Sequence, residues 1–244
     1  MTDTPAAATV PAPLPWGAWA TFGWAVLATA LGQVMATLAL LGYDTDGDLT
    51  VRYTGPVVAL ATLILNPVQI AVVVAAARRT GMTARDYLAL VPFRGHDLVL
   101  GVLTAALLAA AIAAYAVVTG RALVTPFQID TYVTTPSVFW LVLLALAIVV
   151  VAPLGEEIIF RGFMFRGFVR EGRSPLLPII AISLIWTLLH VQYDWFGLTQ
   201  VFLLGLLFGW IRWRSGSTTL TFVLHALVNF ESAIETLIKV GWRF

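Results

Sequence analysis

The chain alternates between long apolar runs and short polar connections, and few charges enter the runs. The runs are Trp16–Leu41, Pro56–Ala77, Leu98–Val118, Ser137–Val151 with a continuation beyond it, Pro175–Leu189, Leu198–Trp213 and Thr218–Val240. A helix needs roughly 20 apolar residues to cross the hydrocarbon of a bilayer. The pattern therefore predicts an all-α, polytopic transmembrane helical bundle of about seven spans, within a range of roughly six to eight.

Composition agrees. The 244 residues are 60% hydrophobic and 11% charged, whereas a soluble domain carries about 25% charged residues to cover its surface. A net charge of only +1 argues against a nucleic-acid partner and leaves the lipid bilayer as the expected surrounding. With no cysteine, disulfides, a thiolate nucleophile, a lipobox anchor and cysteine-ligated metal are excluded. Residues 1–15 are rich in Pro and Ala without Lys or Arg; they lack the basic start of a cleaved signal and are expected to be a disordered tail.

Arginine placement orients the runs. Arg78, Arg79, Arg85 and Arg94 share one connection, Arg161, Arg166, Arg170 and Arg173 surround the next on the same side, and Arg212 and Arg214 mark a third. The other side carries Arg52 or Arg121 alone. By the positive-inside rule the protein is expected in the cell membrane with a cytoplasmic N-terminus; seven crossings then leave Lys239 and Arg243 on the wrong side. Tryptophans near run ends, such as Trp16, Trp19, Trp195 and Trp213, read as interfacial anchors. The acidic stretch Asp44-Thr45-Asp46-Gly47-Asp48 fails as a calcium loop, because Leu49 and Gly55 stand where glycine and glutamate are needed. It reads as a polar turn. Gly205 and Gly209 offer a small face for close helix packing.

Chemistry concentrates at Pro153-Leu154-Gly155-Glu156-Glu157-Ile158-Ile159-Phe160-Arg161-Gly162. An ionised side chain in hydrocarbon costs at least about 2.5–3.5 kcal/mol, so these charges need partners or a function. Successive helical residues point 100° apart, so Glu156 and Glu157 face different directions. Arg161 follows Glu157 by four residues, the spacing at which side chains meet on one face. The geometry pairs Glu157 with Arg161 and leaves Glu156 for a cavity, where an unpaired carboxylate suits a general base. The fourth helix must then run from about 138 to 170, with Pro153 as a place to kink or break.

His96 lies in the basic connection and reads as ordinary. His190 follows Trp186 by four residues and His225 precedes Asn229 by four, so each pair shares a helix face. At 1.5 Å per residue, Glu156 and His190 lie at similar depth, roughly 21–23 Å from the basic side, and His225 at roughly 16 Å. Glu and His together could activate water while a second His and Asn stabilise an oxyanion. Alternatively Glu156, His190 and His225 could hold a divalent metal such as zinc, with an open position. Both lead to amide hydrolysis, although no His-Glu-x-x-His or Gly-x-Ser-x-Gly motif is present. Glu231, Glu235 and Lys239 form an i, i+4 ladder that reads as a solvated or partly paired helix end.

Glu156-Glu157-x-x-x-Arg161, then Trp186-x-x-x-His190, then His225-x-x-x-Asn229 resemble, in order, the motifs of the CPBP intramembrane protease family. That family is also called ABI or CAAX-protease-like, and it includes the type II CAAX prenyl endopeptidases. The second motif usually opens with Phe, so Trp186 is a departure and reads as a conservative one. The resemblance divides the chain into N-terminal transmembrane helices at 16–136 and a catalytic membrane core at 137–244. It implies Glu156 as water-activating base helped by His190, Glu157 and Arg161 as supports, and His225 with Asn229 at the oxyanion. It implies a membrane-associated or lipidated peptide substrate, and allows either a metal or a metal-free glutamate mechanism. A proton- or ion-coupled transporter, or a non-catalytic membrane immunity or partner protein, would also retain buried Glu and His. Confinement of the polar groups to the C-terminal half favours the enzyme.

Overall fold

The computed structural model describes residues 15–41, 53–170 and 172–241. The stretch Met1 to Leu14 of the N-terminal tail, the acidic turn around Asp44–Asp48, Arg52 and Arg243 lie outside the described residues.

The described residues form helices throughout: α1 (Ala18–Leu40), α2 (Gly55–Arg78), α3 (Ala84–Tyr87), α4 (Gly95–Thr119), α5 (Pro126–Val133), α6 (Val138–Phe168), α7 (Leu176–Leu188), α8 (Trp195–Ser215) and α9 (Thr218–Val240). Six of them, α1, α2, α4, α6, α8 and α9, are long and apolar enough to cross a membrane. The fifth predicted run supplies only the 13-residue α7, about 20 Å of helix at 1.5 Å per residue. The molecule is a polytopic all-α bundle, and its outward faces carry Leu103, Leu107, Val117, Phe139 and Leu177 exposed, as a lipid-facing surface requires.

Contacts fix which helix ends lie together. The Trp16 amide donates to the Tyr87 hydroxyl at 3.2 Å, the Ser217 hydroxyl to the Val91 carbonyl at 2.6 Å, and Arg212 Nε to the Arg161 carbonyl at 2.9 Å. These bonds gather the start of α1, the starts of α4 and α9, and the end of α8 at one arginine-rich end. At the far end, Arg121, just past α4, pairs with Asp194 at 3.5 Å. The loop after α7 therefore lies opposite the basic end. Short α7 and this loop together make a seventh crossing of the bundle.

The long α6 is continuous, as the depth argument required, but its winding changes twice. Residues Ala147–Val151 and Ile158–Met164 are π-helical and flank an α-helical turn, Ala152–Glu157. Proline lacks an N–H and clashes with the preceding turn. Pro153 lies directly after the first π segment, where i→i+5 bonding has already replaced the regular ladder. So the helix accommodates Pro153 by rewinding. The second π segment begins immediately after Glu157 and carries Arg161.

Packing of α7 on α8 uses the two glycines noted in the sequence. A Cβ on Gly205 would lie 2.9 Å from Ser183 Cβ, and one on Gly209 would lie 2.7 Å from Ile179 Cγ2. Both are closer than side-chain carbons approach, so glycine here permits the helix contact. That contact brings Trp186 of α7 against α6 and α9.

Candidate active site

Glu157 and Arg161 are completely buried, at 0% and 1% exposure. Arg161 Nη1 donates to Glu157 Oε1 at 3.0 Å, and Nη2 donates to the Gly205 carbonyl at 3.3 Å. Glu157 Oε1 also accepts from His225 Nδ1 at 3.0 Å. The guanidinium sits 4.4 Å over the Trp186 ring. A buried charge left alone is costly; here one guanidinium and one imidazole both bond Glu157 Oε1 at the meeting of α6, α8 and α9, while Oε2 is buried without a hydrogen-bond partner among the described residues.

Glu156 points elsewhere, as the 100° rotation requires. It lines a cavity of about 590 Å³, together with Trp186, His190, Tyr193, His225 and Asn229. Glu157 and Arg161 are absent from the cavity lining. The pairing read from spacing therefore holds, and the structure brings His190, His225 and Asn229 to the face that Glu156 occupies. α4 also lines the cavity, with Ala105, Ala109 and Ala113 beside Leu108 and Ile112, and the volume is that of an ordinary small-molecule or peptide cleft.

Trp186 organises this space in a way that its residue type alone did not announce. Its indole Nε1 donates to Glu156 Oε2 at 2.6 Å, and its carbonyl meets His190 Nδ1 at 2.9 Å. Its ring stands edge-on to both His190 and His225, at 5.2 and 5.4 Å between centroids. The exchange of Phe for Trp is thus not conservative at this position: a phenyl ring cannot donate to Glu156.

Tautomers follow from these partners. A carbonyl oxygen only accepts, so His190 Nδ1 carries the proton and Nε2 of the neutral ring keeps its lone pair. The Glu157 carboxylate likewise holds the proton of His225 on Nδ1. Asn229 Nδ2 donates to the Ile148 carbonyl at 2.8 Å, inside the first π segment. One Asn229 N–H is thus engaged in the helix wall, which leaves the other and the carbonyl oxygen of the amide.

Tyr193 was missed in the sequence. Its ring lies 5.8 Å from that of His190 at 27°, nearly stacked. Nothing in the spacing singles out a tyrosine in a connecting loop. Glu231 and Glu235 also line the cavity, while their ladder partner Lys239 does not. Those two carboxylates are cavity wall and only partly a solvated helix end. His96 is exposed beside Asp97 at 3.1 Å and is remote from this site.

The three-ligand metal arrangement fares differently. Among the described residues, no three His, Asp or Glu side chains are grouped so as to hold one ion. The Glu156 carboxylate is bonded to the Trp186 indole, while the Nδ1–H bonds of both imidazoles leave each Nε2 free, as metal-ligating histidines do. As placed, Glu156, His190 and His225 are not grouped around one point.

A helical membrane-spanning bundle with a carboxylate, two imidazoles and an amide around one internal cavity defines the class: a multi-pass membrane protein with a buried polar site. Residues 138–230 match the family model described as type II CAAX prenyl endopeptidase Rce1-like, so this stretch of the chain is similar to the CAAX-protease-like family. All the residues from Glu156 to Asn229 discussed above fall inside it. An uncharacterized 24.3 kDa protein of Escherichia coli is 34% identical over 110 residues, which cover 43% of this chain and 51% of that protein. The chain thus spans about half the length of this curated relative. No solved structure matches.

Proposed function

We propose that the protein is an intramembrane endopeptidase that hydrolyses a peptide bond with water activated by Glu156. The observation that supports this most is the division of the glutamates: Glu157 is held by Arg161 and His225, while Glu156 lines the cavity with His190, His225 and Asn229. A pair of structural carboxylates would have no reason to differ in this way.

In the proposed reaction a water lies between the Glu156 carboxylate and His190 Nε2. Glu156 takes a proton as the water oxygen bonds to the substrate carbonyl carbon, and His190 orients the water through its lone pair. Negative charge then develops on the carbonyl oxygen. The free N–H of Asn229 faces it, and His225, held by Glu157 as a carboxylate holds an imidazole in other hydrolases, supplies positive character. The proton on Glu156 passes to the leaving nitrogen, the C–N bond breaks, and the carboxyl and amino products separate. Trp186 holds Glu156 Oε2, and Tyr193 holds the plane of His190. Every step as written uses side chains of the protein and water. The proposed substrate is a membrane-associated or lipidated peptide segment, which could reach the cavity past α4.

The test is purified protein in nanodiscs with a lipid-anchored peptide library, products read by mass spectrometry. Cleavage to paired carboxyl and amino products is expected, with loss in His190→Ala. Cleavage that survives His190→Ala undiminished would contradict the reading.

A further inference from the structure

Beside the main cavity lies a second, smaller chamber of about 110 Å³. It shares Gln128, Tyr193, Asn229 and Ser232 with the main cavity and adds Thr131, Tyr132 and Thr236. Its roof is α5, capped by Thr125 and Gln128 and tied to α9 where Gln128 Nε2 donates to Ser232 Oγ at 2.8 Å. Tyr132 is 4% exposed, and its hydroxyl has no hydrogen-bond partner among the described residues. A buried hydroxyl without a partner is rare, and each one needs an explanation.

The other polar groups are partly committed. The hydroxyls of Thr131 and Thr236 donate to carbonyls of their own helices at 2.7 and 2.8 Å, which leaves oxygen lone pairs open to the chamber. Ser232 Oγ accepts from Gln128 and keeps its proton. Burial pushes the Tyr132 phenol up to about 12, so it is a neutral donor at any physiological pH. The chamber offers donors and acceptors but no charge. Its volume of about 110 Å³ is that of a few waters or one small side chain.

We propose that this chamber is a specificity subsite that takes a small uncharged polar side chain, the hydroxyl or carboxamide of Ser, Thr or Asn, next to the bond being cut. The inference rests on the peptidase reading. Asn229 connects the two spaces, so a side chain in the chamber belongs to a residue adjoining the carbonyl that Asn229 faces. Tyr132 is the group whose hydrogen bond the substrate completes. A charged side chain finds no counter-charge there, and a large aliphatic one leaves the Tyr132 hydroxyl unpaired, so both are rejected.

The experiment uses the full chain in nanodiscs and a lipid-anchored peptide library randomised around the cleavage point. The wild type is expected to enrich Ser, Thr or Asn at one position beside the cut. In Tyr132→Phe the ratio of cleavage of Ser- or Thr-containing peptides to that of their Ala counterparts should fall about tenfold. Thr236→Val, which removes a second acceptor while keeping the side-chain shape, should lower the same ratio. Tyr132→Phe should also melt at or above the wild-type temperature, because the hydroxyl it loses bonds nothing among the described residues. The proposal is overturned by wild-type cleavage without small polar preference, by a ratio unchanged in both variants, or by a marked loss of melting temperature in Tyr132→Phe with preference intact. Absence of any cleavage by the wild type would sink both this proposal and the peptidase reading, whereas cleavage without preference would sink only this one.

Discussion

At the scale of single residues, Trp186 matters most among those the sequence undervalued. Its indole N–H, its carbonyl and its ring each touch a different member of the site. Trp186→Phe keeps the ring packing and removes only the donor to Glu156. A drop in kcat of roughly tenfold with KM nearly unchanged is expected, the signature of an interaction that positions the base. Steady-state kinetics on a cleaved peptide check this. The Glu157–Arg161 pair was legible because i, i+4 geometry is local. The contact of His225 with Glu157 was not, because no spacing rule connects residues 68 positions apart. Residue type alone likewise could not say that the aromatic at position 186 would turn its donor to a carboxylate.

At the scale of elements, the apolar pattern located the helices but not their winding. The two π segments of α6 leave the run of apolar residues unchanged, so hydropathy is blind to them. They aim Glu156 and Arg161 and expose the Ile148 carbonyl to Asn229. Short α7 covers only part of the fifth crossing, and the loop to Asp194 completes it. Arg161 ties three helices, through Glu157 on α6, Gly205 on α8 and indirectly His225 on α9. Arg161→Ala leaves Glu157 as a buried charge with one partner and should destabilise the fold by about 3–5 kcal/mol. Adding Glu157→Gln should recover part of that loss. Unfolding of the single and double variants in mixed detergent measures both effects; equal loss in the two would contradict the coupling.

At the scale of the whole molecule, contacts at both ends of the bundle give seven crossings, with α7 and the loop to Asp194 completing one of them. The sequence contains no cysteine, so single cysteines can be placed without background. Cysteines at Arg85 and at Asp194, both exposed, should label from opposite membrane faces, with Arg85 on the cytoplasmic side if the positive-inside rule governs. Labelling of both from one face would contradict the crossing. Metal dependence is a second property of the assembled site. With the Glu156 carboxylate bonded to the Trp186 indole and no group of three His, Asp or Glu ligands among the described residues, prolonged chelator treatment followed by removal of the chelator should leave kcat within a factor of about two, against a loss of 10-fold or more where a catalytic metal is held. Activity lost on chelation and restored by zinc would contradict the geometry.

The account stands on Glu156 as the base that activates water. The most direct measurement is kcat for Glu156→Gln, with a thermal melt showing that the variant is folded. The amide keeps the shape and still accepts from the Trp186 indole, but it cannot take a proton. The predicted result is a fall in kcat of at least about 100-fold at nearly unchanged KM. A kcat within a few-fold of the wild type would contradict the account.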